Sequence, residues 1–327
     1  MQRRWGAAWI YGPGPDLLIA LCWLPMFVVG HRLSAGHGPH DDELLRAAVA
    51  AAFLVSFLHQ PLTLGLVYGD PRRFRERRRL FVWAPPITLA VVLVAVSFHL
   101  WVIVPVAAIW NTLHTLQQRY GLSRIYARKA GYGSARLDRW VLFAWMASVA
   151  LIVAASPGTA SLVTRVRLDH VNGSGVRLLT DIRPVALVLL VPVATAAVLL
   201  AATIVRQEAR AESPNTAKWV YQASSLALIA AIAVDPAAGF LAYIGAHALE
   251  YFVIVYKTTE TRHGRQLGRT AGLAGVVGVA LVAHGQLHSQ VYDVTLYTVG
   301  ALHFLYDSFI WKLRKPAVAA DFAIPRG

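Results

Sequence analysis

Residues 184–205 read PVALVLLVPVATAAVLLAATIV. The stretch holds no ionisable side chain and ends against Arg206. A run of about 20 apolar residues is the length that crosses a bilayer's hydrocarbon core. A surface helix of a soluble domain keeps one polar face, and this stretch has none. Working outward from it, we find comparable runs along the whole chain. The predicted spans are 16–31, 47–68, 80–98, 101–118, 140–156, 184–205, 218–234, 238–256, 270–287 and 292–311. Pro85 and Pro86 lie near the start of the third. The first is a full span with no small-residue cleavage site behind it, so the expectation is no removable signal peptide.

Composition agrees. Of 327 residues 57% are hydrophobic and only 15% charged, and the mean hydropathy is +0.51. Soluble domains carry about a quarter charged residues. A disordered chain, a coiled coil and an ordinary cytosolic enzyme are excluded. The formal charge of +14 does not point to nucleic acid, because the basic residues sit in short runs between apolar stretches. The single cysteine, Cys22, excludes an internal disulfide and a cysteine-based metal cage. With both termini placed in the cytoplasm, only six of the 31 Lys and Arg fall outside: Arg32, Arg46, Arg165, Arg167, Arg177 and Arg183. That bias is what the positive-inside rule demands. The expected architecture is all-α, a polytopic helix bundle of about ten spans in the cytoplasmic membrane, forming one domain over residues 1–327. The Arg run from Arg72 to Arg79 is expected to set topology and to bind anionic lipid headgroups.

Ionisable residues within spans are expensive and mark function. Four of the twelve histidines lie there: His59, His114, His247 and His303. Their spans, the second, fourth, eighth and tenth, all run from outside to inside. Counting forward to the first inner-loop charge (Asp70, Arg119, Lys257 and Lys312) gives 11 residues for His59, 5 for His114, 10 for His247 and 9 for His303. At 1.5 Å per residue they occupy a layer ~8–16 Å from the inner boundary. Polar companions follow at helical spacing, where residues three or four apart share a face. Asn111, His114 and Gln118 form one stripe; Thr63 is one turn past His59; Glu250 and Tyr251 follow His247; Tyr306 and Asp307 follow His303.

Imidazole and carboxylate together suit iron, zinc, manganese and copper. We read His59, His114, His247, Glu250, His303 and Asp307 as candidate metal ligands for one or two ions, iron first. Asn111 and Gln118 would orient His114, and Tyr251 or Tyr306 would donate a proton or carry a radical. The bland reading is that an intramembrane His packs helices, and that Asp307 snorkels toward Lys312. Glu250 weighs against it, because no basic residue is assigned to any span. The outer histidines (His31, His37, His40, His284 and His288) are a second, weaker candidate site.

This layout resembles polytopic membrane oxygenases that hold non-haem iron with histidines from several helices. Fatty-acid desaturases and hydroxylases place HxxxH boxes at the cytoplasmic face. The one HxxxH here, His284 to His288, is expected on the other side. The spread of single histidines is similar to that of Brp/Blh-type carotenoid dioxygenases, although their Pro-His-Gly-type signature is absent. WNTLHTLQQRYG (110–121), AHALEY (246–251) and HFLYDSFIWKLRKP (303–316) look like signature blocks of a bacterial membrane family. The resemblance implies an oxidoreductase that activates oxygen and hydroxylates, desaturates or cleaves a lipid or isoprenoid, with electrons from a donor protein. A transporter using the same layer as a proton or metal relay is the alternative, and a bis-histidine haem carrier the third. P-loop, GxGxxG, GxSxG and HExxH motifs are absent.

Overall fold

Proline, aspartate and asparagine set the helix starts that frame this chain. Pro13, Pro71, Pro184 and Pro316 sit in the first turns of helices, where the missing N–H costs nothing. Asp70, Ser134, Asn215 and Asp235 accept hydrogen bonds from the first free N–H groups of the helices that follow them. The computed structural model describes residues 9–36, 38, 40–100, 102–159, 161, 177–178, 181–211, 215–260 and 290–324. Among these residues the fold is all-α, with no strand.

The helices are α1 (Pro13–Leu21), α2 (Trp23–Ala35), α3 (Asp41–Tyr68), α4 (Pro71–Glu76), α5 (Arg78–Ser97) and α6 (Ile103–Ala130). They continue with α7 (Ala135–Ala155), α8 (Arg183–Ala209), α9 (Thr216–Val234), α10 (Pro236–Glu260), α11 (Gln290–Ile310) and α12 (Pro316–Asp321). Seven segments among the described residues are long and apolar enough to cross a membrane: Pro13–Ala35, Asp41–Tyr68, Arg78–Ser97, Ala135–Ala155, Arg183–Ala209, Thr216–Val234 and Pro236–Thr258. Two expected spans, 101–118 and 292–311, fall in α6 and α11, which are too polar to join that set. Much of that polarity is His114, Gln118 and Arg119 on α6 and His303 and Asp307 on α11. The expected span 270–287 lies outside the described residues.

α10 is the hub. It packs against α1, α2, α3, α6, α9 and α12, and 72% of its apolar window is buried. α8, by contrast, leans on α7 and leaves Leu187, Val188, Val191 and Leu199 exposed, an apolar face suited to lipid. α11 lies between α3 and α5, so α3, α6, α10 and α11 surround one interior point. Close to it, Pro61 removes a hydrogen bond from the interior of α3, two residues past His59. A buried polar network ties α6 to α7, α8 and α9 near the α6–α7 turn. Lys218 pairs with Glu208 and, at 3.4 Å, with Asp138. Arg124 reaches Asp138 at 2.6 Å, and the Tyr132 hydroxyl donates to Glu208 at 2.6 Å. Burial and that carboxylate push the Tyr132 phenol above its ordinary range.

Candidate metal centre

The four histidines His59, His114, His247 and His303 meet. Their rings form a closed cycle with centroid separations of 4.7 Å (His59–His247), 5.2 Å (His247–His114), 4.8 Å (His114–His303) and 4.7 Å (His303–His59). Every neighbouring pair is close to edge-on. His59, His247 and His303 are buried, and His114 keeps 11% of its side chain exposed. The helix period explains the next layer. On α3, α10 and α11 the residue four positions on carries a hydroxyl or carboxylate, namely Thr63, Tyr251 and Asp307. These three lie together one turn toward the helix C-termini. Thr63 Oγ1 contacts His303 Nδ1 at 2.6 Å, donates to Asp307 Oδ1 at 2.9 Å and meets the Tyr251 hydroxyl. Tyr251 also donates to Asp307 Oδ1, at 3.0 Å.

That network fixes a tautomer. A threonine hydroxyl has one proton, and Asp307 receives it. Thr63 therefore accepts from His303, so His303 carries its hydrogen on Nδ1 and presents a bare Nε2 to the ring centre. His303 Nε2 is 3.2 Å from His59 Nε2 and 3.7 Å from Asp307 Oδ2. His114 Nε2 is also 3.7 Å from Asp307 Oδ2. Among the described residues, both nitrogens of His247 and Nε2 of His114 are buried without a hydrogen-bond partner. Two groups among the described residues, each with ligand atoms within 4.8 Å of one another, could hold a metal ion: His59, His247 and His303, and His114, His303 and Asp307. With metal–nitrogen bonds of about 2.0–2.1 Å, neighbouring ligands at roughly 90–109° lie about 2.9–3.4 Å apart. The His59–His303 separation falls in that range.

The remaining predicted site residues are placed differently. Glu250 lies in neither group. Its Oε1 is 2.7 Å from Arg119 Nη2, and both side chains are 0% exposed. Arg119 also donates to Ser225 at 2.9 Å. Arg119 lies just past the expected span 101–118, yet α6 continues to Ala130 and carries it into the core. Gln118 does not orient His114 either. Its amide donates to the His247 carbonyl at 2.9 Å and to Glu250 at 3.4 Å. Asn111 is half-buried and forms no hydrogen bond with the four imidazoles. Tyr306 faces away from the ring, its hydroxyl 2.8 Å from that of Tyr68 and its ring against Phe81. Neighbouring helix positions are about 100° apart, so Asp307 and Tyr306 cannot share a direction. Among the outer histidines, His31 pairs with Asp235 at 2.9 Å and His40 lies 3.6 Å from Glu43. His37, His284 and His288 lie outside the described residues. Compared with known protein families, curated proteins and solved structures, the chain has no match.

Proposed function

We propose that the chain is a metal-dependent oxidoreductase of the cytoplasmic membrane, spanning it about ten times with both ends inside. Its centre would hold one iron ion between His59, His114, His247 and His303, with Asp307 alongside. The observation that carries this reading is the closed cycle of four imidazoles drawn from four helices. The donor set suits iron as well as zinc, manganese or copper. Iron bound there would supply the one-electron chemistry that activates dioxygen for attack on a lipid or isoprenoid, with electrons from a donor protein.

Nuclearity follows from one lone pair. Both candidate groups include His303. Its Nδ1 is taken by Thr63, which leaves a single nitrogen for both groups. One imidazole nitrogen binds one ion, so the groups are overlapping views of one mononuclear site. The chain's own residues do the positioning. Asp307 and Tyr251 hold the Thr63 hydroxyl, Thr63 holds His303, and Gln118 holds the α10 backbone at His247. A haem between two of these histidines is disfavoured, because each imidazole already touches two others and no slot separates them. The basic face Arg72–Arg79 would rest on anionic headgroups.

The test is iron content and optical spectrum of detergent-purified protein supplied with ferrous iron. One iron per chain without a Soret band, lost in His247→Ala and His303→Ala, is expected. Two irons per chain would overturn the single site, and none would overturn the metal reading.

A further inference from the structure

We infer that the metal centre opens sideways to the bilayer through the seam between α6 and α11, closed by Trp110 and Phe304, and that its substrate is an apolar molecule dissolved in the hydrocarbon. This inference rests on the metal reading above and adds the direction of approach.

The seams around His114 differ. On the α10 side, α6 is stitched twice. The Tyr243 hydroxyl donates to the Thr112 carbonyl at 2.9 Å on the outer side, and Gln118 donates to the His247 carbonyl at 2.9 Å on the inner side. On the α11 side, no hydrogen bond joins α6 to α11 among the described residues; aromatic rings cover the gap instead. Phe304 lies 4.6 Å from the His114 ring and 5.5 Å from that of His303. Trp110 stacks on Phe304 from outside, with centroids 6.2 Å apart and planes at 23°. Trp110 is 49% exposed, and Ile109 and Leu113 beside it are exposed too. All three are apolar, and α6 carries no charged residue from Ile103 to Gln118.

Two other sides are filled among the described residues. Toward the inner face stand the Thr63–Tyr251–Asp307 layer and the buried Arg119–Glu250 pair. On the far side α10 packs against α3 and α6. The one partly exposed imidazole, His114, is thus the one behind the aromatic pair. A hydrated substrate would have to cross lipid to reach this seam, whereas an acyl or isoprenoid chain already lies beside it. Swinging Trp110 and Phe304 aside breaks no hydrogen bond among the described residues, so the ring cover can lift at the cost of ring contacts alone, leaving the 3.7 Å His114–Asp307 contact beneath it in place.

The experiment uses full-length protein in phospholipid nanodiscs, loaded anaerobically with iron(II). Iron removal is followed by the red complex formed with bathophenanthroline, which partitions into lipid, or with its disulfonate, which stays in water. The two share one chelating group and differ in where they dissolve. Bathophenanthroline is expected to strip the iron faster. Trp110→Ala and Phe304→Ala are expected to accelerate it about 2- to 10-fold, the range one aromatic pair accounts for. Leu187→Ala, on the exposed face of α8, is expected to leave the rate unchanged. Equal rates for the two chelators, or ring variants that change nothing, overturn the lateral opening while leaving the metal site standing. Protein that takes up no iron overturns both.

Discussion

Removing the Glu250 carboxylate while keeping Arg119 strands a guanidinium in the protein interior. The two side chains are 0% exposed with 2.7 Å between Nη2 and Oε1. The other side-chain acceptor that Arg119 keeps is the neutral Ser225 hydroxyl at 2.9 Å. Gln118 cannot replace the carboxylate's charge: its amide nitrogen donates to the His247 carbonyl and its oxygen is a neutral acceptor. Breaking such a pair from one side costs about 3–5 kcal/mol, whereas exchanging both partners for apolar side chains of similar volume is nearly neutral. Glu250→Leu and Arg119→Met should therefore each lower the unfolding free energy by about 3–5 kcal/mol, at least about a hundredfold in the unfolding equilibrium. The double variant should recover most of either loss, with a coupling energy of at least about 3 kcal/mol. The assay is reversible denaturation in mixed micelles followed by tryptophan fluorescence, with iron content measured on the same preparations. The double variant should bind iron as the wild type does, because the pair lies outside the imidazole cycle. Additive losses in the double variant would refute the coupling. Iron lost on removing Glu250, but kept in Arg119→Met, would make Glu250 a ligand after all.

Other outcomes follow from single contacts. Thr63→Val keeps the side-chain shape but removes the hydroxyl that holds His303 and Asp307. Iron affinity should fall about 10- to 100-fold in a chelator competition, with little loss of fold. Gly133 has φ +108° and stands so close to Lys218 that an added Cβ would lie 2.6 Å from Nζ. That amine is held by Glu208 and Asp138, so Gly133→Ala should lower stability by about 1–3 kcal/mol in thermal unfolding. Replacing Arg75, Arg78 and Arg79 by Gln should weaken interaction with anionic vesicles by about 1 kcal/mol per residue, and the loss should shrink as salt rises.

The chain's length of apolar sequence made the helices legible, and the histidines were legible because they interrupt it. His59, His114, His247 and His303 needed no knowledge of contacts to be singled out; sharing a depth was enough. What escaped the sequence were partners far along the chain. Thr63 reads as one more threonine until Asp307 and His303, 244 and 240 residues away, close on it. Arg119 looked like the end of a span because it is the first charge after one, and nothing local reveals a carboxylate 131 residues on. The same gap left Glu250 reading as a ligand, because its Arg119 partner was not visible from the sequence. Tyr306 and Asp307 are adjacent in sequence and were assigned to one site. The α-helical period sends one toward Tyr68 and the other toward Thr63.

Moving Arg119 from loop to core also strengthens the observation that first drew attention to the histidines. With Arg119 as the boundary, His114 stood only 5 residues from the inner side, apart from its counterparts at 11, 10 and 9. The next charge on α6 is Arg124, which turns toward Gly133 and Asp138 where the chain enters α7. Measured to Arg124, His114 stands 10 residues away, and the set becomes 11, 10, 10 and 9. At 1.5 Å per residue the four imidazoles then differ in depth by about 3 Å, less than one helical turn. Independent packing histidines have no reason to converge so closely, whereas donors to a single ion must. The four-residue step that follows three of them brings Thr63, Tyr251 and Asp307 into a second shared layer for the same geometric reason. On the proposed reading, one ion's need for ligands is what keeps this polarity in the interior of the helix bundle.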